Sequence, residues 1–367
     1  MRHRSFALDL TRPLGTANGE IRRREGFVIT VGSERDDSTA VGLGEATPLP
    51  GWTESYEACE TALDGLDELD EGGGRDEGHS RESLTAGLDA ESTPAARHGV
   101  ALAVADAAAR DADRSLASHV AEEAGIDADP AAAVPVNATI GDGTPSEAAA
   151  EAERAVAAGF DCLKLKVGAR EVNEDVERVR AVREAVGEGV ALRADANGAW
   201  DRETARRALD ALAPFDLAYV EQPLPADDVD GLAALRADGR DPGVPVAADE
   251  SVGRHGIEAV VDADAADAVI LKPMALGGPD RALAAALRAW SAGVDPVVTT
   301  TIDAVVARTA AVHVAAAVPD VSPCGLATGS LLDEDLAPDP CPVTDGAVRV
   351  PTGPGLAGGA FDELRRP

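Results

Sequence analysis

The sequence predicts an α/β protein, a (β/α) barrel of the TIM type preceded by a smaller α+β domain. Three observations lead there. After Pro130, strand-like apolar runs alternate with alanine-rich amphipathic runs, the pattern of repeated βα units with parallel strands. The strands in the middle of that series end on charged residues that a buried strand would not otherwise choose. The residues before Pro130 follow a different rhythm, with period-two alternation ahead of helical stretches. The predicted boundaries are 1–130, 131–330 and a C-terminal segment 331–367.

Residues 4–12 and 25–33 alternate apolar and polar side chains and predict two strands, with Gly15, Asn18 and Gly19 in the loop between them. A third strand over 40–43 leads into Gly44–Trp52, which two prolines and a glycine make an ordered loop, and Thr53 caps the next helix. The run from Asp64 to Ser83 is rich in Asp, Glu and Gly and predicts an exposed loop with no assigned role. Residues 94–112 predict an alanine-rich helix. Barrel strands are predicted over 134–140, 162–167, 190–194, 217–221, 244–248, 268–271 and 294–300, with a weaker eighth near Cys324. Helices are predicted over 145–158, 171–186 and 279–292, and a last strand over 347–350.

Charge narrows the partners. With 33 Lys and Arg against 66 Asp and Glu, the formal charge is −33, spread through every segment. Self-repulsion of that size is relieved when salt shortens the Debye length to about 3 Å at 1 M. The composition therefore predicts an acidic surface suited to a salt-rich cytoplasm, a halophilic trait. Nucleic acid is disfavoured, because phosphate neutralisation needs clustered Lys and Arg. No apolar run is long enough for a membrane span, and the first residues lack a signal-peptide core. Cys59, Cys162, Cys324 and Cys341 form no CxxC pair, which fits a reduced cytoplasm. Homo-oligomerisation stays open.

Only three lysines occur in the chain, Lys164, Lys166 and Lys272. Lys164 and Lys166 lie two apart on one predicted strand and so share a face. Two ammonium groups side by side in a desolvated site push one amine toward neutrality, which suits a general base. The next strands end in Asp195, Glu221 and Asp249, and the following one in Lys272, each about one βα unit after the last. In a barrel these positions share the C-terminal rim, where active sites are built. Three carboxylates without His or Cys make an oxygen site suited to Mg2+, with Mn2+ as substitute. A carboxylate substrate held there can lose its α-proton to a lysine. Arg193, on the same face as Asp195, is a candidate partner for a substrate anion, or else an ion pair inside the barrel.

At these residues the chain resembles the enolase superfamily, and within it the muconate lactonizing enzyme subgroup. ILKPMALGG around Lys272 and PCGLATGSLL from Pro323 to Leu332 are most similar to its o-succinylbenzoate synthases, metal-dependent dehydratases of menaquinone biosynthesis. The resemblance implies the superfamily's modified barrel, an N-terminal capping domain whose loops near Thr16–Glu20 and Gly44–Trp52 close over the site, and a C-terminal segment packing back on that domain. It implies Lys166 as base and then acid in a syn elimination of water, with Lys164 supporting it and Lys272 steadying the anion. It implies Asp195, Glu221 and Asp249 as metal ligands, with Asn197 and Glu250 supporting them. Thr299, Thr300, Thr301, Gly325, Thr328 and Gly329 would line the pocket for a small-molecule carboxylate.

Three other readings share these residues. One is an N-succinylamino acid racemase, or another epimerase or cycloisomerase of the subgroup, with Lys166 and Lys272 as opposed bases. The second is a Schiff-base aldolase, for which three clustered acids have no use. The last is a non-catalytic binding protein on the same fold.

Overall fold

The computed structural model describes residues 1–16, 19–32, 40–72, 81–238 and 243–366. It opens with β1 (Arg2–Thr16), β2 (Gly19–Val31) and β3 (Gly42–Ala46), paired antiparallel in that order. The first two strands run longer than the alternation predicts and take in Gly15 and Gly19; Asn18 lies outside the described residues, as does part of the expected closing loop at 16–20. Helices α1 (Tyr56–Gly72), α2 (Arg81–Ala86), α3 (Pro94–Asp111) and α4 (Leu116–Glu123) follow. Helix α3 packs closely on β3: a Cβ at Gly42 or Gly44 would strike the backbone of Ala103 or Gly99. Only glycine permits that approach.

At its described ends, through Gly72 and from Arg81, the acidic run is helix and not the loop that its composition predicts. Through Gly72 it continues α1, because Cys59, Leu63 and Leu66 recur at helical spacing and are buried. Glu60 and Asp64 lie between them, and residues 73–80 of the expected loop lie outside the described residues.

The predicted strand 134–140 divides in two. Its first part, β4 (Ala133–Pro135), pairs antiparallel with the C-terminal segment. Its second, β5 (Ala138–Ile140), begins the barrel. Val136 still donates its N–H to Gly346 O of the C-terminal segment, and from Val136 the chain bridges to Cys324 on the way into β5. Then come α5 (Pro145–Ala157), β6 (Cys162–Lys166), α6 (Val172–Val186), β7 (Ala191–Asp195), α7 (Arg202–Leu212), β8 (Leu217–Glu221), α8 (Val229–Asp238) and β9 (Val246–Ala248). The series ends with α9 (Glu250–Asp262), β10 (Ala268–Leu271), α10 (Pro273–Leu276), α11 (Pro279–Ser291), β11 (Asp295–Val298) and α12 (Val305–Ala317).

Strands β5 to β11 form one seven-stranded parallel sheet in sequence order. The eighth strand expected near Cys324 is reduced to two parallel bridges, Val136 with Cys324 and Thr299 with Gly325. They join the two edges of the sheet. Strands β12 (Val343–Thr344) and β13 (Ala347–Arg349) complete the small sheet with β4, and α13 (Asp362–Arg365) ends the chain. The C-terminal segment touches both parts of the molecule. Asp333 donates to Asp9 O and Arg365 pairs with Asp106 of α3, while β13 lies on β4. A continuous apolar core runs from Val28, Leu43 and Leu102 into the barrel strands and their helices.

Candidate active site

The charged strand ends meet at one rim. Lys166 and Asp195 are register partners across β6 and β7, as are Asp195 and Glu221 across β7 and β8. Lys164 Nζ donates to Asp195 Oδ2 at 3.0 Å and to Glu221 Oε1 at 3.0 Å. Lys166 Nζ donates to the same Asp195 oxygen at 2.7 Å and to Asn197 Oδ1 at 2.8 Å. A carboxylate oxygen thus stands between the two ammonium groups. Across the rim, Lys272 pairs with Asp249. Asn197 Nδ2 donates to Glu250 Oε1 at 3.1 Å, joining the two supporting candidates.

The acids are almost completely buried, and that sets their electrostatics. Burial raises Glu221 to about 7, and the negative charge of Asp195 adds to it. Burial likewise raises Asp249 to about 6, against the opposing charge of Lys272. Burial also works to raise Asp195, but Lys164 and Lys166 outweigh it and hold this carboxyl below its ordinary range. For Lys164, burial disfavours the charged form, yet Asp195 and Glu221 prevail and hold it as an ammonium well above the ordinary lysine value.

Three buried carboxylates that repel one another invite a cation, and their oxygen-only donor set fits Mg2+ or Mn2+. Among the described residues they do not stand as a ready metal-ligand group. The ammonium groups of Lys164 and Lys272 hold them instead. Glu250 Oε2, buried and without a hydrogen-bond partner beside this group, adds a further oxygen.

Two contributors to the rim are not singled out as site residues by the sequence reading, which expects only that the loop ending at Trp52 closes over the site. Trp52, from the loop after β3, lies over Lys272, with Nζ 3.6 Å from the ring centre. Its indole fits because Gly253 of α9 has no side chain; a Cβ there would come within 2.9 Å of the ring. Gln222 accepts from Asp249 N at 3.0 Å and Ser251 N at 3.1 Å and so locks β8 to the start of α9. The signals available were a tryptophan closing a proline-rich loop and an amide directly after Glu221.

Other candidates lie apart from the ring. Arg193 is buried deeper in the barrel, donates to Pro323 O at 2.6 Å and stacks on Tyr219 at 4.7 Å. The structure does not bring it to the carboxylates, because one step back along a strand moves a side chain down a layer of the barrel. Neither is it in the ion pair that was the alternative. Thr299 Oγ1 donates to Gly325 O at 2.8 Å, and Thr300 and Thr328 hydroxyls meet at 3.0 Å. Gly325 N–H donates to Val298 O and is not free for a substrate carboxylate. Thr301 hydrogen-bonds Asp303, and Gly329 backs onto the Arg308 guanidinium.

Beneath the Trp52 loop lies a second buried group. Glu45 accepts from Ala304 N and Ala307 N, each at 2.8 Å, at the start of α12, and from the Thr47 hydroxyl. Arg24 donates to Thr47 O, Pro48 O and Ile302 O. The loop that carries Trp52 is thereby seated on the barrel loop that follows β11.

Comparison with known proteins agrees with this geometry. Over 230 residues, 61% of this chain, the sequence is 44% identical to an o-succinylbenzoate synthase of Thermobifida fusca, covering 68% of that protein. Over 224 residues it is 41% identical to an o-succinylbenzoate synthase of Mycobacterium tuberculosis H37Rv, covering 64% of that protein, just under two thirds. Among solved structures, a dipeptide epimerase from Methylococcus capsulatus, complexed with Mg and the dipeptide L-Arg-D-Lys, superimposes with a TM-score of 0.82 at 29% identity, over 97% of this chain and 98% of that one. The family model described as enolase C-terminal domain-like matches residues 147–362, and the chain belongs to the enolase superfamily.

Proposed function

We propose that this chain is an o-succinylbenzoate synthase, a carbon–oxygen lyase that removes water from 2-succinyl-6-hydroxy-2,4-cyclohexadiene-1-carboxylate in menaquinone biosynthesis. The observation that carries the reading is the pairing of Lys166 on β6 and Lys272 after β10 across three buried carboxylates. The relatives named o-succinylbenzoate synthase support the choice of reaction.

Asp195, Glu221 and Asp249 would hold Mg2+, or Mn2+ in its place. Bound there, the ion supplies positive charge against the substrate carboxylate. Lys166 removes the α-proton: the C–H bond breaks and its electron pair moves toward the carboxylate as an enediolate. Lys272 faces the other side of the rim and steadies that negative charge. The enediolate then collapses, the adjacent C–O bond breaks, and protonated Lys166 returns its proton to the departing hydroxide as water. Lys164, held as an ammonium, keeps Asp195 ionised beside Lys166 and donates to Glu221. The ring becomes aromatic, and no external oxidant is needed.

The partner is then a small-molecule carboxylate, and the setting a reduced, salt-rich cytoplasm. No helix among the described residues is long and apolar enough to cross a membrane. A second reading, racemisation of N-succinylamino acids, is favoured by the opposed lysines and by the structural likeness to epimerases. Assay of the purified protein with the cyclohexadiene substrate, at molar salt with Mg2+, tests the proposal by the appearance of the aromatic product. No product, with α-deuterium exchange into N-succinylamino acids instead, would replace dehydratase by racemase.

A further inference from the structure

The stretch that carries Lys166 is gripped from outside the barrel by a charged pair on α6. Arg178 and Asp175, one helical turn apart, are buried, as are Val176, Val179 and Val182 of the same helix. Arg178 NH1 donates to Lys166 O at 2.7 Å and to Asp175 Oδ1 at 2.8 Å, and its NH2 donates to Gly141 O at 2.8 Å. Asp175 Oδ2 accepts from Gly168 N at 2.7 Å. One guanidinium therefore joins the ends of β5 and β6, while its carboxylate partner holds the N–H two residues beyond Lys166. Gly168 has φ +88°, and a Cβ there would come within 2.8 Å of Ala199, so this turn has little room to readjust.

We propose that Arg178, braced by Asp175, is a positioning residue that sets the place of Lys166 through its backbone; this rests on Lys166 acting as the base. A buried Arg–Asp pair contributes little net stability relative to apolar side chains of the same volume. Valine or leucine would serve a helix packed on a barrel equally well. What an apolar side chain cannot do is bridge two strand-end carbonyls with a planar fork. Proton transfer is sensitive to such placement, since a displacement near 1 Å costs on the order of a hundredfold in rate. The side chain of Lys166 reaches Asp195 and Asn197 from a backbone fixed on three sides: Arg178 on its carbonyl, Asp195 O on Val167 N, and Asp175 on Gly168 N.

The experiment compares Arg178→Met, which keeps volume and removes the fork, with Arg178→Lys, which keeps charge but offers a point donor. Saturating turnover of the Met variant is expected to fall about 30- to 100-fold. KM and the Mg2+ activation constant are expected to stay within about twofold, and the primary deuterium isotope effect at the α-carbon to increase as proton removal becomes slower. The Lys variant should recover less than about a tenth of the wild-type rate, as expected where a bidentate fork is needed. Wild-type turnover in either folded variant overturns the proposal. So does a loss of turnover matched by equal weakening of substrate and Mg2+ binding, which reports general loosening of the rim. If the Met variant does not fold, the Lys variant decides by the same readouts. Lys166→Ala separates the two levels: retained α-proton exchange in that variant sinks the base assignment, whereas an inert Lys166→Ala beside fully active Arg178 variants sinks only the positioning role.

Discussion

The ammonium of Lys272 lies 3.6 Å from the centre of the Trp52 ring while it pairs with Asp249. A group of the barrel rim thus depends on a side chain from the N-terminal domain. Trp52→Ala should lower kcat/KM about tenfold, in keeping with a partly desolvated cation–π contact. Trp52→Phe should recover most of the loss. An alanine variant as active as wild type would mean that the indole merely fills space.

Lys272→Arg keeps a positive charge but removes a usable base. Dehydration should survive at a rate reduced about 10- to 100-fold, because charge stabilisation persists in an altered position. Exchange of the α-deuteron followed by NMR in both enantiomers of an N-succinylamino acid gives the contrary result: if both still exchange in this variant, Lys272 is not a base.

Chelation should abolish turnover, and Mg2+ or Mn2+ should restore it. A readout independent of turnover is the thermal midpoint, which Mg2+ should raise in wild type through binding to the native state. Glu221→Gln should weaken that stabilisation. An equal Mg2+ shift in the variant would remove Glu221 from the ligand set.

Glu45 gives a pH dependence away from the rim. Burial, and then the charge of Asp303, raises its carboxyl to about 7 from 4.5. Between those values the native state keeps a proton that the unfolded chain has released, so this group's contribution to stability declines as pH rises. The loss is on the order of 3 kcal/mol across the window. Urea midpoints at pH 5 and pH 7.5 should show Glu45→Gln gaining on wild type at the higher pH. A difference between the two proteins that does not change with pH would contradict this account.

The charge of −33 predicts salt dependence. Far-UV circular dichroism and activity should both decline on dialysis from molar to low salt, as self-repulsion loses its screening. Retention of both in dilute buffer would refute a high-salt adaptation.

The rim was legible because its residues violate local expectation. A lysine or carboxylate ending an apolar strand stands out, and the period of the βα unit puts such ends on one face. The scarcity of lysine marks the same residues. Trp52 was not legible as a partner of Lys272, because their contact joins distant parts of the chain. Arg178 was hidden differently. Within VNEDVERVRAVREAV it reads as one more member of a solvated charged face, and only packing shows that it is buried beside Arg180, which is exposed. The acidic run misled through composition: Asp, Glu and Gly suggested a loop, and three apolar residues at helical spacing outweighed them.

The barrel's seam has a consequence for how the molecule is made. Among the described residues, the first strand of the sheet, β5, is joined to the last, β11, through the bridges Val136–Cys324 and Thr299–Gly325. A chain emerging from the ribosome therefore completes β11 and still holds an open sheet, with two unpaired edges, until Cys324 and Gly325 arrive. Such edges are templates for pairing with other chains. Any delay between the emergence of β11 and that of Cys324 and Gly325 lengthens the interval in which those edges stand open.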